Sequence, residues 1–426
     1  MSITFPGGFR AWGTRAGIKP SGKPDLAMIV RDGPSDRAGS AMVFTRSVIV
    51  GAPVIIGREA RASLLSPVGS PGRLAALRAV LVNAGNSNSA TGQPGIDDAR
   101  ACMSAAAALL ACDAREVLPS STGIIGRPLP VDKITRQLPE LHASLARGDE
   151  ADRRAAEAIM TTDMRPKTSR REVVIDGATI RIGAIAKGSG MIAPRLDSAR
   201  GPSAPSATML AFITTDACVA SADLQDLLER TSGASFERIS VDNHPSCSDT
   251  VVCVASGASP GPRLVPGTAG FVAFASAMAE VCDELSMAII RDGEGATRIF
   301  RVRVRGAARE ADAAMIAREV VNSPLVKCAI HGRDPNWGRL VTAAGNAGVS
   351  FDPHLASLKI GPVEVFRAGV PITPALSDPR LKDAMSGGAE GLVECELTIG
   401  DGPGESFMIG CDLSREYVTI NADYTT

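Results

Sequence analysis

No Cys-x-x-Cys pair occurs in this chain, and its 9 cysteines are scattered and odd in number. That pattern speaks against a disulfide framework or a zinc site and fits a reducing cytosol, so a cytoplasmic location is expected. The 4 histidines, His142, His244, His331 and His354, lie far apart and form no His-Glu-x-x-His pattern, so no metal is expected. Excess charge is missing as well. A formal net charge of -1 and a pI of about 6.5 give no electrostatic reason to propose nucleic acid or an anionic membrane surface as a partner. No apolar run reaches the ~20 residues needed to cross a bilayer. The stretch around Phe5, Phe9 and Trp12 has neither a continuous apolar segment nor a small-residue cleavage signal, so no export is expected. There is no internal repeat, and no linker of domain-boundary character outside residues 195–206. The 426 residues allow one large or two ordinary domains.

What is present is an alternation of short strands and helices. Residues 26–30 and 41–50 read as strands around the turn Asp32-Gly33-Pro34-Ser35, and the apolar run 74–82 leads into an Asn/Gly-rich loop at 83–92. Asp97 or Asp98 is placed to cap a helix over 99–115, after which Val117 and Leu118 deliver Ser120-Ser121-Thr122-Gly123. Pro139 is expected to start a short helix to residue 145, and 150–159 forms another. Segments 172–175 and 179–185 alternate around Asp176-Gly177, a two-residue hairpin signal, and hand the chain to Lys187. Beyond it, 209–214, 236–241, 251–255, 298–304 and 417–420 read as strands, and 221–229, 268–290 and 307–321 as helices. The turn between 241 and 251 reads as a solvated hairpin loop. The mixed order implies an α/β or α+β fold.

The arrangement most suggestive of chemistry is the loop Ala186-Lys187-Gly188-Ser189-Gly190-Met191-Ile192-Ala193-Pro194, followed after a spacer by Ala207-Thr208 at the head of an apolar strand. Breaking the bond before Thr208 gives that residue a free α-amino group beside its own hydroxyl, so one residue supplies both nucleophile and general base. By themselves these residues also describe a plain loop feeding a buried strand.

Six separated motifs go further: KGSGMIAP, ATMLAFITTDA, SSTGIIG (120–126), RDGEGAT (291–297), DPNWGR (334–339) and INADYTT (420–426). Together, and in their order along the chain, they resemble the ornithine acetyltransferase (glutamate N-acetyltransferase) family, and the similarity runs from GFRAWGTRAGIK near the N-terminus to the last residue. The resemblance implies that family's fold, in which α and β chains cut from one precursor intertwine and assemble as α2β2 or larger. On this chain those would be 1–207 and 208–426, with cleavage between Ala207 and Thr208. It implies Thr208 as nucleophile and Thr122 with Gly123 as oxyanion donors. Substrate contacts fall on Thr161 or Thr162, Lys187, Thr208, Glu294, Asn421 and Thr426, with Glu294 taking the substrate's cationic amino group. The implied reaction moves acetyl from N-acetylornithine to glutamate in arginine biosynthesis, with no cofactor. Whether acetyl-CoA is also a donor substrate is recorded by neither motif nor composition.

Two departures stand out. Residues 195–206 are an insertion whose Pro/Ser/Gly/Arg content reads as a flexible loop. The family's acidic, Thr-rich turn appears here as Asp242-Asn243-His244-Pro245-Ser246-Cys247-Ser248-Asp249-Thr250. These features keep open a related self-processed acyltransferase or amidohydrolase acting on another amine.

Overall fold

The computed structural model describes residues 1–33, 36–197, 209–388 and 391–423. The fold is mixed α/β, as expected, and divides into two compact units.

The first unit spans residues 1–237 and 244–289. Its strands β1 (Phe9–Thr14), β2 (Leu26–Arg31), β3 (Gly39–Phe44), β4 (Ala79–Asn86), β5 (Val117–Ile124), β6 (Lys167–Ile175), β7 (Ala178–Lys187) and β8 (Leu210–Thr215), with strand Thr250–Ala255, form two main sheets. One has the order β1-β2-β4-β5, and the other the order β3, Thr250–Ala255, β8, β7, β6. Several strands are buried along their whole length, which is why 26–30 and 251–255 read as continuous apolar runs rather than alternations. The sheets meet through a core that includes Phe9, Ile29, Val80, Phe44, Ile185 and Phe212. Helices α1 (Ala52–Leu65) and α4 (Asp149–Ala158) seal its edges with Val54, Leu64 and Ala155. On the outer face of the first sheet, α2 (Gly92–Leu110) and α3 (Val131–Ala143) cover Met28, Leu81 and Val117. Helix α5 (Ser221–Ala234) packs on β3, and α6 (Ala269–Arg291) lies along β6, where Arg171 pairs with Glu280 and Glu284.

The β6–β7 hairpin turns through Asp176 and Gly177, both at positive φ, as an Asp-Gly pair favours. It runs in register from Ile175↔Ala178 to Lys167↔Ala186. Lys187 is therefore the last residue of a strand locked on both sides, since β8 pairs with it at Leu210.

Several expected elements differ. The strand expected over 41–50 ends at Phe44, since Val48 and Ile49 are exposed, and the chain then enters α1, where Pro53 occupies a first-turn position at which its missing N–H costs nothing. Helix α2 begins at Gly92, not 99. Pro139 lies inside α3 instead of starting a helix, which buries Ile134, Leu138 and Leu141 on one stripe. The 242–250 turn is no hairpin loop: Ile239–Ser240 and Thr250–Ala255 belong to different sheets, and Ser246 through Asp249 are buried. Within the 195–206 insertion, Arg195 to Asp197 are anchored: Leu196 bridges to Thr45, and Asp197 receives both Arg61 guanidinium nitrogens at 2.6 and 2.8 Å.

The second unit comprises residues 238–243 and 290–425. A seven-stranded mixed sheet runs in the order Ile239–Ser240, Gly402–Cys411, Ile299–Gly306, Leu392–Thr398, Ser357–Ile360, Val363–Arg367, Val370–Pro371. Helices Glu310–Asn322, Pro324–Gly332 and Trp337–Gly345 share its core, where Trp337 stacks on Phe366 at 5.6 Å. Residues 417–420 lie in a helix, Arg415–Asp423, rather than in the expected final strand. Ser414 starts it by accepting the Tyr417 N–H. Among the described residues of both units, no helix is long and apolar enough to cross a membrane.

Candidate active site

In the first unit the site grows from the ends of β5 and β7. β4 and β5 run parallel with Ala84 opposite Thr122 and Gly85 opposite Gly123. Gly123 has φ +129°, and a Cβ there would lie 2.5 Å from the Gly85 carbonyl carbon, so only glycine fits. The Asn-rich loop braces this strand end: Ser121 Oγ donates to Asn83 Oδ1 at 2.6 Å, and Asn83 Nδ2 to the Asn86 carbonyl at 2.8 Å. Thr122 is buried, and the Lys187 ammonium lies 3.4 Å from its Oγ1. Two residues picked from separate motifs thus meet.

Between them and the half-buried Thr161 and Thr162 sits a residue that sequence reasoning passed over, Asp163. Its Oδ1 accepts Lys167 Nζ at 2.6 Å and the Gly188 N–H at 2.7 Å, and its Oδ2 accepts the Thr161 N–H at 3.0 Å. Lys187 Nζ stands 3.9 Å from the same Oδ2. The side chains of this trio are at most 2% exposed. Burial works against the Asp163 charge, but Lys187 and Lys167 more than offset it and hold the carboxyl well below the usual carboxylate range. Lys19 is a second missed group. Its stem passes 3.0 Å from where a Gly85 Cβ would stand, and its Nζ donates to the Pro24 carbonyl at 2.6 Å. Burial lowers its pKa to about 8, with Asp25 opposing and Lys187 adding to the shift. Asp25 in turn accepts the N–H groups of Ala16, Ile18 and Lys19 and fixes the loop. The sequence signal for both was position alone: Asp163 follows the two threonines, and Lys19 closes the first matching motif.

Ala207 and Thr208 lie outside the described residues, as does Thr426. Beyond Thr208, the Met209 N–H donates to the fully buried Asp249 carboxylate.

In the second unit, Glu294 and Asn421 come together. Asn421 Nδ2 donates to Glu294 Oε2 at 2.8 Å, and Glu294 is 8% exposed. Gly295, at φ +66°, makes this possible, because a Cβ there would come within 2.5 Å of the Tyr417 backbone nitrogen and push the final helix away. Tyr417 donates to Asp242 at 3.3 Å, and burial together with the Asp242 charge pushes its phenol pKa up.

The ArgJ family profile matches residues 10–426. The chain is 42% identical to the arginine biosynthesis bifunctional protein ArgJ of Thermosynechococcus vestitus, covering 100% of this chain and 98% of that one. It is 40% identical to the protein of the same name from Rhodopirellula baltica, covering 100% and 97%. A solved structure of the Bacillus halodurans ArgJ protein aligns with 36% identity over 51% of this chain and 100% of that chain, at a TM-score of 0.48. Matched along nearly its whole length by the profile and at full coverage by these relatives, the chain belongs to the ArgJ family.

Proposed function

We propose that this protein transfers acetyl from N-acetylornithine to glutamate through an acetyl-Thr208 intermediate, after cutting itself between Ala207 and Thr208. As an ArgJ family member it is an acetyltransferase of arginine biosynthesis. The observation that best supports the mechanism is the buried approach of the Lys187 ammonium to the Thr122 hydroxyl beside Gly123, a position able to serve a developing anion.

In maturation, Thr208 Oγ attacks the Ala207 carbonyl, the N-to-O acyl shift leaves an ester, and water hydrolyses it to give a carboxylate on Ala207 and a free amine on Thr208. In turnover that amine, with an ordinary pKa near ~8, takes the hydroxyl proton. Oγ attacks the acetyl carbonyl, Thr122 and Gly123 hold the oxyanion, and ornithine leaves with the proton. Glutamate's amine then attacks the Thr208 ester and departs as N-acetylglutamate, returning the proton to Thr208. Lys187 and a threonine at 161 or 162 position the amino acid, Glu294 takes its cationic group, and Asn421 and Thr426 contact it. The reading involves no cofactor, allows acetyl-CoA as a second donor substrate, places the enzyme in the cytoplasm, and has the 1–207 and 208–426 pieces assemble as α2β2 or larger.

Incubating purified protein with N-acetylornithine and glutamate, and separately with acetyl-CoA and glutamate, tests the reaction and its donor range. A product formed only with another amine or with water would replace the acceptor assigned here. Intact mass spectrometry should find two pieces in active wild type and one uncut chain in inactive Thr208→Ala. A cut Thr208→Ala protein removes Thr208 from the mechanism.

A further inference from the structure

The acetyl-transfer steps use Lys187, Thr122 and the 161–162 threonines but give no task to the acid buried among them. Asp163 touches the segments that carry Lys187 and the two threonines, and is linked to Thr122 through the Lys187 ammonium. Its Oδ2 receives the Thr161 N–H at 3.0 Å, which shapes the turn bearing both threonines. Its Oδ1 receives the Gly188 N–H at 2.7 Å, which fixes the backbone just after Lys187. Lys167, from the start of β6, completes that oxygen at 2.6 Å. With Oδ1 so engaged, the Lys187 ammonium stands 3.9 Å from Oδ2, in ion-pair range but beyond hydrogen-bond reach, and turns to Thr122 Oγ1 at 3.4 Å. A lone carboxylate would draw that ammonium into contact and spend its charge. Shared with Lys167, it anchors the ammonium and leaves it directed at the oxyanion motif.

We propose that Asp163 is a positioning residue of the acetyl-transfer site: braced by Lys167, its carboxylate aims the Lys187 ammonium at Thr122 and holds the Thr161–Thr162 turn in the same frame. The role rests on the acetyl-transfer reading, but the geometry it requires lies wholly within the first unit. Among the described residues, the charged groups around Lys187 include Asp163 from the 161–163 turn, Lys167 from β6, and Lys19 from the β1–β2 loop with Asp25 beside it. Replacing Asp163 by an uncharged isostere removes the carboxylate that the Lys167 and Lys187 ammoniums share.

The test is a double-mutant cycle on the purified processed protein, measuring acetyl transfer from N-acetylornithine to glutamate across pH. Asp163→Asn is expected to lower kcat/KM about 100-fold, mostly through KM, with the alkaline limb of the profile moved to lower pH. Because Asn keeps an oxygen able to accept the Thr161 N–H, and the charge it loses acts through Lys187, adding Asp163→Asn to Lys187→Met should cost less than about threefold more. Losses that multiply, or an Asp163→Asn enzyme with wild-type KM and pH profile, overturn the proposal. A second readout needs no turnover: the 13Cε resonance of Lys187, identified by its loss in Lys187→Met, should titrate at lower pH in Asp163→Asn than in wild type. An unmoved midpoint overturns the proposal whether or not the wild type transfers acetyl, whereas absent wild-type transfer counts against the acetyl-transfer reading alone. If melting curves show that Asp163→Asn does not fold, Lys167→Met carries the test. Freed from Lys167, the carboxylate should capture Lys187, raising KM about tenfold and moving the Lys187 midpoint to higher pH. An unchanged midpoint in that variant overturns the proposal.

Discussion

The two units use the same kinds of charged side chain to opposite ends. In the first, Asp163, Lys167 and Lys187 are shut away from water at the ends of strands. In the second, Arg301, Arg303 and Arg305 alternate along one face of the seven-stranded sheet and pair with Glu394, Glu405 and Glu396 at 2.6 to 3.2 Å, with side chains 26–46% exposed. The Lys167–Asp163 contact, at 2.6 Å, is no shorter than the shortest ladder pair, so distance does not distinguish them. Solvent does: removing one member of a buried pair typically costs about 3–5 kcal/mol, whereas an exposed pair contributes about 0–1 kcal/mol. A short ion pair therefore marks a site only when its surroundings make the charge expensive to strand.

The sharpest way to break this contrast is at the dry end. Gly123→Ala should lower acetyl transfer by at least about 100-fold, because the added Cβ displaces the backbone from Gly85 and moves an oxyanion donor. Steady-state kinetics checks this, and near-normal turnover would mean that the glycine pair is mere packing. Next is acid stability. The Asp163 carboxyl is held below its usual range, so the stability it contributes is fully present above the unfolded value near ~4 and is lost as pH falls toward the folded value. Wild type should therefore lose denaturant stability below about pH 4 more steeply than Asp163→Asn, while Glu405→Gln, on the open ladder, should follow wild type. Equal slopes for all three would erase the distinction between the regions. A smaller effect is expected at the second unit's own buried acid. Glu294→Gln keeps the Asn421 contact but loses the charge, and should raise KM for N-acetylornithine by about 10- to 100-fold with little change in melting temperature. Smallest of all, Arg303→Ala should change unfolding free energy by less than about 1 kcal/mol and leave kcat/KM within about twofold.

The position of Lys187 was legible from sequence because an Asp-Gly turn and two alternating segments fix its register without help from the rest of the chain. Thr122 and Gly123 were legible as a motif, but the glycine's necessity was not, since it depends on the neighbouring Gly85 in a strand some forty residues earlier. Helix α1 was hidden because its Val-Ile-Ile stretch has strand propensity, and burial of Val54, Ile56 and Leu64 decides the matter. Residues 417–420 misled in the same way, with a Tyr-Val-Thr-Ile run that the Ser414 cap commits to a helix. Asp163 and Lys167 were unreadable in principle: their four-residue spacing falls on a turn entering a strand, and only the returning β7 brings the third charge that gives them meaning.

The antiparallel seam between β7 and β8, six residue pairs from Ile182↔Thr215 to Lys187↔Leu210, crosses the proposed scission point. The two fragments would then share one sheet, each supplying strands the other lacks. Translated from separate messages, neither half could complete that sheet alone, and activity would return only on co-expression, as in a split reporter.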